Sequence, residues 1–200
     1  MIKNVVFDIG NVLLYFKPDE YLNGFNFDKQ TNKKLFESIF KSKYWCELDR
    51  GMLTEDEAIK LFNEASPELQ EKIEIVMKDW IGILKPNLET VAIVKELKKR
   101  NYNIFLLSNF HKSAFERVSS ENEFFNLFDG RIISYEINLL KPEKEIYNKL
   151  LKTYNLKPEE TLFIDDMIEN IAAADKLRIN TILFSNAESL RETLKSKRLL

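Results

Sequence analysis

Two hundred residues with an apolar fraction of 44% suffice for one domain of ordinary size, or for a core domain carrying a smaller insertion. With 30 Lys and Arg against 32 Asp and Glu, the charge balance is slightly acidic and offers no electrostatic case for nucleic acid or an anionic membrane. One cysteine excludes an internal disulfide framework, one histidine beside it argues against a Cys/His zinc site, and no apolar run or leader pattern suggests a membrane span or signal peptide, so a soluble cytoplasmic protein is expected.

The chain opens on an apolar run of strand type, Val5-Val6-Phe7, that ends at Asp8 and a flexible Ile9-Gly10-Asn11 turn. A buried carboxylate at such a place needs a cation beside it. After this strand, over residues 4–8, roughly 70 residues (about 17 to 86) carry only helical patterns, far more than an ordinary connection. Leu35, Phe36, Ile39 and Phe40 form one apolar stripe; Thr54 to Glu57 is a capping box opening a second helix; Ser66-Pro67 starts a third with Ile73, Val76, Met77 and Trp80 inward. Tyr44 and Trp45 are read as core of this segment, with an aromatic near the cleft able to stack on a sugar, and Cys46 as a small buried packing residue.

From residue 88 onward helical and strand patterns alternate. Helical periodicity over 88–100 and over 142–154, the latter with Pro142 in its first turn, separates strands expected at 103–108, 131–134, 161–165 and 181–184. Such alternation predicts an α/β fold with a parallel sheet covered on both faces. The expected division is therefore an α/β core of residues 1–16 and 87–200, with a helical domain of 17–86 inserted into it.

Ligands bind such a sheet at the carboxyl ends of its strands. Asp8 ends the first strand, Ser108-Asn109 the second and Asp165-Asp166 the fourth, while Lys141 follows the third. Singly, Ser108 or the two aspartates would serve as helix caps and Lys141 as a solvated lysine. Together on one rim they make three carboxylates, an ammonium and a hydroxyl. Clustered carboxylates need a cation, and oxygen-only ligands select a hard ion such as Mg²⁺. A metal beside Lys and Ser suits a phosphoryl group, with Asp8 as a candidate nucleophile. His111 is read as a surface histidine at a helix start, and the run from Lys95 to Arg100 as a solvated helix end.

The segments FDIGN, LLSN, LLKPE and FIDDMIEN resemble, in order and spacing, the four motifs of the haloacid-dehalogenase superfamily. The resemblance implies a Rossmann-like parallel sheet flanked by helices, with residues 17–86 as an inserted α-helical cap. Small bacterial phosphatases of the glucose-1-phosphate type share the FDxGNV opening and an Arg-Gly turn like Arg50-Gly51. By position, Asp8 resembles the nucleophile and a Mg²⁺ ligand, Ser108 and Asn109 the phosphate-contacting pair, and Lys141 the neutralising ammonium. Asp166 resembles the direct metal ligand, Gly10 a carbonyl ligand, and Asp165 and Asn170 supporting or water-mediated ones. Arg50 is a candidate substrate contact from the cap.

Two departures stand out. Asn138 replaces a glycine before the Lys-Pro motif, which asparagine's tolerance of left-handed geometry allows, and Arg178 replaces a glycine after the last core helix. More consequentially, Gly10 stands where most phosphatases of the superfamily carry a second aspartate that protonates the leaving oxygen. General acid catalysis supplies roughly 10²–10⁴-fold, so its loss favours anomeric or activated phosphates, unless a carboxylate of the cap or a water substitutes. The implied function is a Mg²⁺-dependent phosphatase acting on a small phosphorylated metabolite, as a monomer or homodimer. The competing readings are a 2-haloacid dehalogenase, which needs no metal, and a non-catalytic metabolite-binding protein.

Overall fold

The computed structural model describes residues 1–200. Five strands make one parallel sheet: β1 (Asn4–Phe7), β4 (Asn103–Ser108), β5 (Gly130–Ile133), β6 (Thr161–Asp165) and β7 (Asn180–Leu183), in the spatial order β5-β4-β1-β6-β7. Two further short strands, β2 (Leu14–Tyr15) and β3 (Lys85–Pro86), pair antiparallel where the chain leaves the sheet and where it returns. All five expected strands are present, shifted by at most one residue at their ends. β1 is the central strand. Its Phe7 faces Leu106 of β4 on one side and Ile164 of β6 on the other, which sets Asp8 between the ends of both neighbours.

Side-chain alternation splits the core into two layers. Val5 and Phe7 join Ile104, Leu106, Leu162 and Ile164 on one face, whereas Val6 joins Phe105, Leu107, Ile132 and Phe163 on the other. The first layer is covered by α6 (Leu88–Lys99), α7 (Lys112–Glu121) and α11 (Ala187–Ser196), the second by α9 (Lys144–Thr153) and α10 (Ile168–Lys176). A single turn, α8 (Ser134–Ile137), follows β5. Buried on both faces, the strands are nearly continuous runs of Val, Ile, Leu and Phe.

Between β2 and β3 the chain is helical throughout: α1 (Pro18–Asn23), α2 (Lys29–Ser38), α3 (Lys43–Asp49), α4 (Glu55–Ala65) and α5 (Gln70–Met77), with short 3₁₀ turns at Pro67–Leu69 and Trp80–Ile83. Side-chain caps start three of these helices. Asp28 accepts from Gln30 N and Thr31 N, Ser42 accepts from Trp45 N, and Thr54 and Glu57 form the full capping box. Leu35 and Ile39 are buried to the hilt, and the apolar side of the segment runs without a break into the first layer of the sheet core.

Three details differ from expectation. Cys46 is exposed, because α3 turns Trp45 and Leu48 inward and leaves Cys46 on its outer side. Pro142 stands before its helix. The Glu143 carboxylate accepts from Leu140 N and closes a turn over 140–143, so α9 begins only at Lys144. Ser66-Pro67 opens a 3₁₀ turn that precedes α5, and Trp80 belongs to the next turn. In agreement with expectation, Asn138 adopts left-handed geometry with φ of 58°, and Arg178 does so too with φ of 62°; asparagine does so readily, arginine at some cost in strain.

Thr54→Ala removes the capping hydroxyl at the start of α4 and is expected to lower unfolding free energy by about 1 kcal/mol, measured by urea denaturation.

Candidate active site

Three strand ends and one loop converge on the rim above β1. The Lys141 ammonium is the centre of the arrangement, 2.8 Å from Asp8 Oδ1 and 2.6 Å from Asp165 Oδ2, with all three side chains buried. Ser108, the last residue of β4, donates its hydroxyl to the same Asp8 Oδ1 at 2.6 Å. Asp8 Oδ1 is thereby held from two directions, and its Oδ2 accepts no hydrogen bond. Asn109 clamps the Lys141 backbone from both sides. Its Nδ2 donates to the Lys141 carbonyl at 3.0 Å, and its Oδ1 accepts from Lys141 N at 2.8 Å.

The acidic pair after β6 divides into two environments. Asp165 is fully enclosed: Oδ1 accepts from Met167 N and Asn170 Nδ2, and Oδ2 accepts from Lys141 and Asn170. The Met167 contact is the side-chain-to-backbone turn that lets a strand pass directly into a helix. Asp166 lies nearer the surface, with Oδ2 accepting from Asn11 Nδ2 at 3.1 Å. Asn11 adopts φ of 53° and also accepts from Phe16 N, so the loop after β1 is folded around its carboxamide.

One oxygen from each of Asp8, Asp165 and Asp166 can be chosen so that all lie within 4.8 Å of one another. Three oxygen donors at that spacing, two of them buried, fit a hard divalent cation such as Mg²⁺. Electrostatics agree. Burial pushes the Asp8 carboxyl up from 3.8 to about 7; Asp165 adds to this, while Lys141 and Ser108 oppose it. Burial pushes the Lys141 ammonium down, but Asp8 and Asp165 outweigh it and hold the group above its ordinary value. Asp166 is raised by burial and by Asp165, against hydrogen bonding from Asn11.

The rim opens on a cavity of about 150 Å³ lined by Asp8, Gly10, Asn109 and Lys141 on the sheet side. Trp45 and Trp80 of the helical segment face them, together with Asp49 and His111. His111 does stand at a helix start, before α7, but it is buried, unlike the surface residue expected from sequence. Its Nδ1 lies 3.0 Å from Asp49 Oδ1, and Trp45 and Trp80 pack on its ring. The sequence signals for this were a lone histidine two residues beyond Ser-Asn and an aspartate before Arg-Gly; their pairing depends on a tertiary contact and was not legible.

Arg50 is the residue the structure removes from the substrate side. Its guanidinium bonds both carboxylate oxygens of Glu143 and the Asn138 carbonyl, and it does not line the cavity. Asn138 Nδ2 returns a hydrogen bond to the Arg50 carbonyl. Beside it, Gly51 has φ of 77° and packs so close to Tyr135 that a Cβ would sit 2.6 Å from the Tyr135 carbonyl oxygen. The Arg-Gly turn is thus a stitch between the helical segment and the sheet. Gly10 is different: it has no left-handed φ, and a Cβ there would meet nothing within 4 Å.

Residues 2–177 match the family of haloacid dehalogenase-like hydrolases, and the chain belongs to that family. It is 28% identical over 207 aligned positions to the D-ribitol-5-phosphate phosphatase of Bacteroides thetaiotaomicron, with 97% of each chain covered. To a sesquiterpene phosphatase of Aspergillus oryzae it is 26% identical, across 86% of this chain and 84% of the relative. Its fold is shared with a haloacid-dehalogenase-family enzyme of Bacteroides thetaiotaomicron crystallised with magnesium and inorganic phosphate (TM-score 0.73, 24% identity, 93% and 96% of the two chains).

Two predictions follow from these geometries. Because the folded-state value of Asp8 lies above its unfolded one, the stability that its protonated form contributes is complete below pH 3.8 and is lost as pH rises towards about 7. With a chelator present, the wild type should therefore lose stability across that interval relative to Asp8→Asn, read from denaturation midpoints. Arg50→Ala should cost roughly 1 kcal/mol through the lost ion pair with Glu143 and leave KM for any hydrolysed substrate within about twofold.

Proposed function

We propose that this protein is a Mg²⁺-dependent phosphomonoesterase acting on a small phosphorylated metabolite through a phospho-aspartate intermediate on Asp8. The observation that carries it is the Lys141 ammonium shared by Asp8 and Asp165, with Ser108 on the same Asp8 oxygen, at the mouth of a small cavity. Asp8 presents Oδ2 to phosphorus while Ser108 and Lys141 fix its other oxygen, which orients the nucleophile. Lys141 neutralises the charge gathered between carboxylate and phosphoryl group, and Asn109 keeps it in place by holding its backbone. Asp8, Asp166 and the Gly10 carbonyl would hold Mg²⁺ directly. Asp165, with both oxygens already engaged, would support them together with Asn170. The bound ion would supply the positive charge that lets phosphoryl oxygens approach three carboxylates.

The helical segment 17–86 is the cap in this reading. It contributes Trp45 and Trp80, whose rings can cover the face of a sugar and exclude water from the reacting bond. An anomeric or activated phosphate fits the glycine at position 10, whereas an alkyl monoester needs a proton from elsewhere. Two phosphatases among the relatives act, by name, on a polyol phosphate and on a terpenoid, so the family likeness leaves the substrate's body open. Against a dehalogenase stands the acidic pair after β6, which metal-free attack on carbon does not need.

Phosphate release from a panel of sugar 1-phosphates, acyl phosphates and primary alkyl phosphates, with Mg²⁺ or with chelator, tests the reading beside Asp8→Asn. Metal-dependent release that the variant abolishes is expected. Binding of Mg²⁺ and phosphate analogues without turnover would replace it with the metabolite-binding alternative, and halide release from 2-haloacids with the dehalogenase one.

A further inference from the structure

The cavity contains one ionisable pair that the chemistry above does not use. His111 is buried with only 2% of its surface exposed, its Nδ1 is 3.0 Å from Asp49 Oδ1, and its Nε2 is buried with no hydrogen-bond partner. A buried nitrogen left unpaired is costly, and an apolar side chain of similar shape would pack between Trp45 and Trp80 without that cost. Asp49 is itself anchored, because Ser134 donates its hydroxyl to the Asp49 carbonyl. The two residues come from different parts of the chain, Asp49 from the end of α3 in the helical segment and His111 from the sheet domain.

Both line the same cavity as Asp8, Gly10 and Lys141. With a volume of about 150 Å³, the cavity has both Asp8 and the imidazole in its lining. Gly10, where most phosphatases of the superfamily are expected from the motif resemblance to carry a second aspartate, has open space beyond its Cα and no strained backbone, so neither sterics nor backbone geometry requires glycine there. The acid is missing for a reason other than lack of room.

We infer that His111, oriented by Asp49, is the catalytic acid and base of this site, in place of the carboxylate that Gly10 lacks. The inference rests on the phosphatase reading. As Asp8 Oδ2 bonds to phosphorus and the ester P–O bond breaks, Nε2–H of the imidazolium passes its proton to the departing oxygen, which leaves as an alcohol. Water then attacks phosphorus and gives a proton to the neutral Nε2, the bond to Asp8 breaks, and inorganic phosphate and the imidazolium are regenerated. The Asp49 carboxylate holds Nδ1–H and so fixes which nitrogen faces the substrate.

The test compares kcat/KM for the primary alkyl phosphate turned over fastest in the panel with that for p-nitrophenyl phosphate, whose leaving group needs no proton. His111→Gln should lower the alkyl-to-aryl ratio by about 10²-fold, within the range general acids supply. Asp49→Asn should move it the same way, and adding Gly10→Asp to His111→Gln should raise it again by at least about tenfold. An equal fall on both esters, no fall on either, or no recovery in the double variant would overturn the assignment. So would a wild-type protein that hydrolyses only the aryl ester. Failure of the phosphatase reading looks different, since the wild type would then release phosphate from neither.

Discussion

The site depends on one buried ammonium. Lys141 lies within 3 Å of two carboxylates, and without it Asp8 and Asp165 would be like charges enclosed at the end of a parallel sheet. Much of the surrounding structure serves to keep that ammonium in place. Asn109 holds its backbone, and Glu143 closes the turn that contains it. Asn170 occupies the Asp165 valences that Lys141 leaves open. Even with this lysine present, burial leaves Asp8 well above its ordinary value, so a further cation at the rim would favour its ionised form.

Sheet topology decides where this happens. With β1 in the middle and the chain running first to β4 and β5 and then to β6 and β7, the carboxyl end of β1 is where the connections diverge. Asp8 therefore has a strand terminus on each side, which places Ser108 and Asp165 within reach of one group. The helical segment leaves and returns beside this point through the β2–β3 ladder, and its aromatic residues arrive over the rim. Stitching by Arg50 and Gly51 to the loop around Asn138 and Tyr135 fixes the end of α3, and hence Asp49, relative to the sheet.

Sequence periodicity was a good guide wherever one local rule decided the outcome. The five strands are short apolar runs bounded by polar residues, and the Thr54 capping box formed as written. The polar strand ends converged because parallel strands share a rim. What sequence could not disclose is where a side chain spends its bonds across the fold. Arg50 looked free and is consumed by Glu143; Cys46 looked like core and faces outward; His111 looked exposed and is enclosed. Each of these depends on how the helical segment is seated against the sheet, which no local pattern encodes.

Gly10 joins these two levels. Read alone, it is a loss, because the chain lacks an acid where most phosphatases of the superfamily are expected to keep one. In the folded molecule, Gly10 has open space at its Cα and lines the same cavity as a histidine held by a carboxylate, the pair proposed to act in its place. Moving the proton donor from the loop after β1 to a pair shared between sheet and helical segment changes what the site requires. An acid at position 10 would belong to the loop after β1 alone, whereas the Asp49–His111 pair joins the end of α3 to the residue before α7. On the proposed assignment, the contacts that enclose the cavity are therefore the same ones that bring the acid together with its partner.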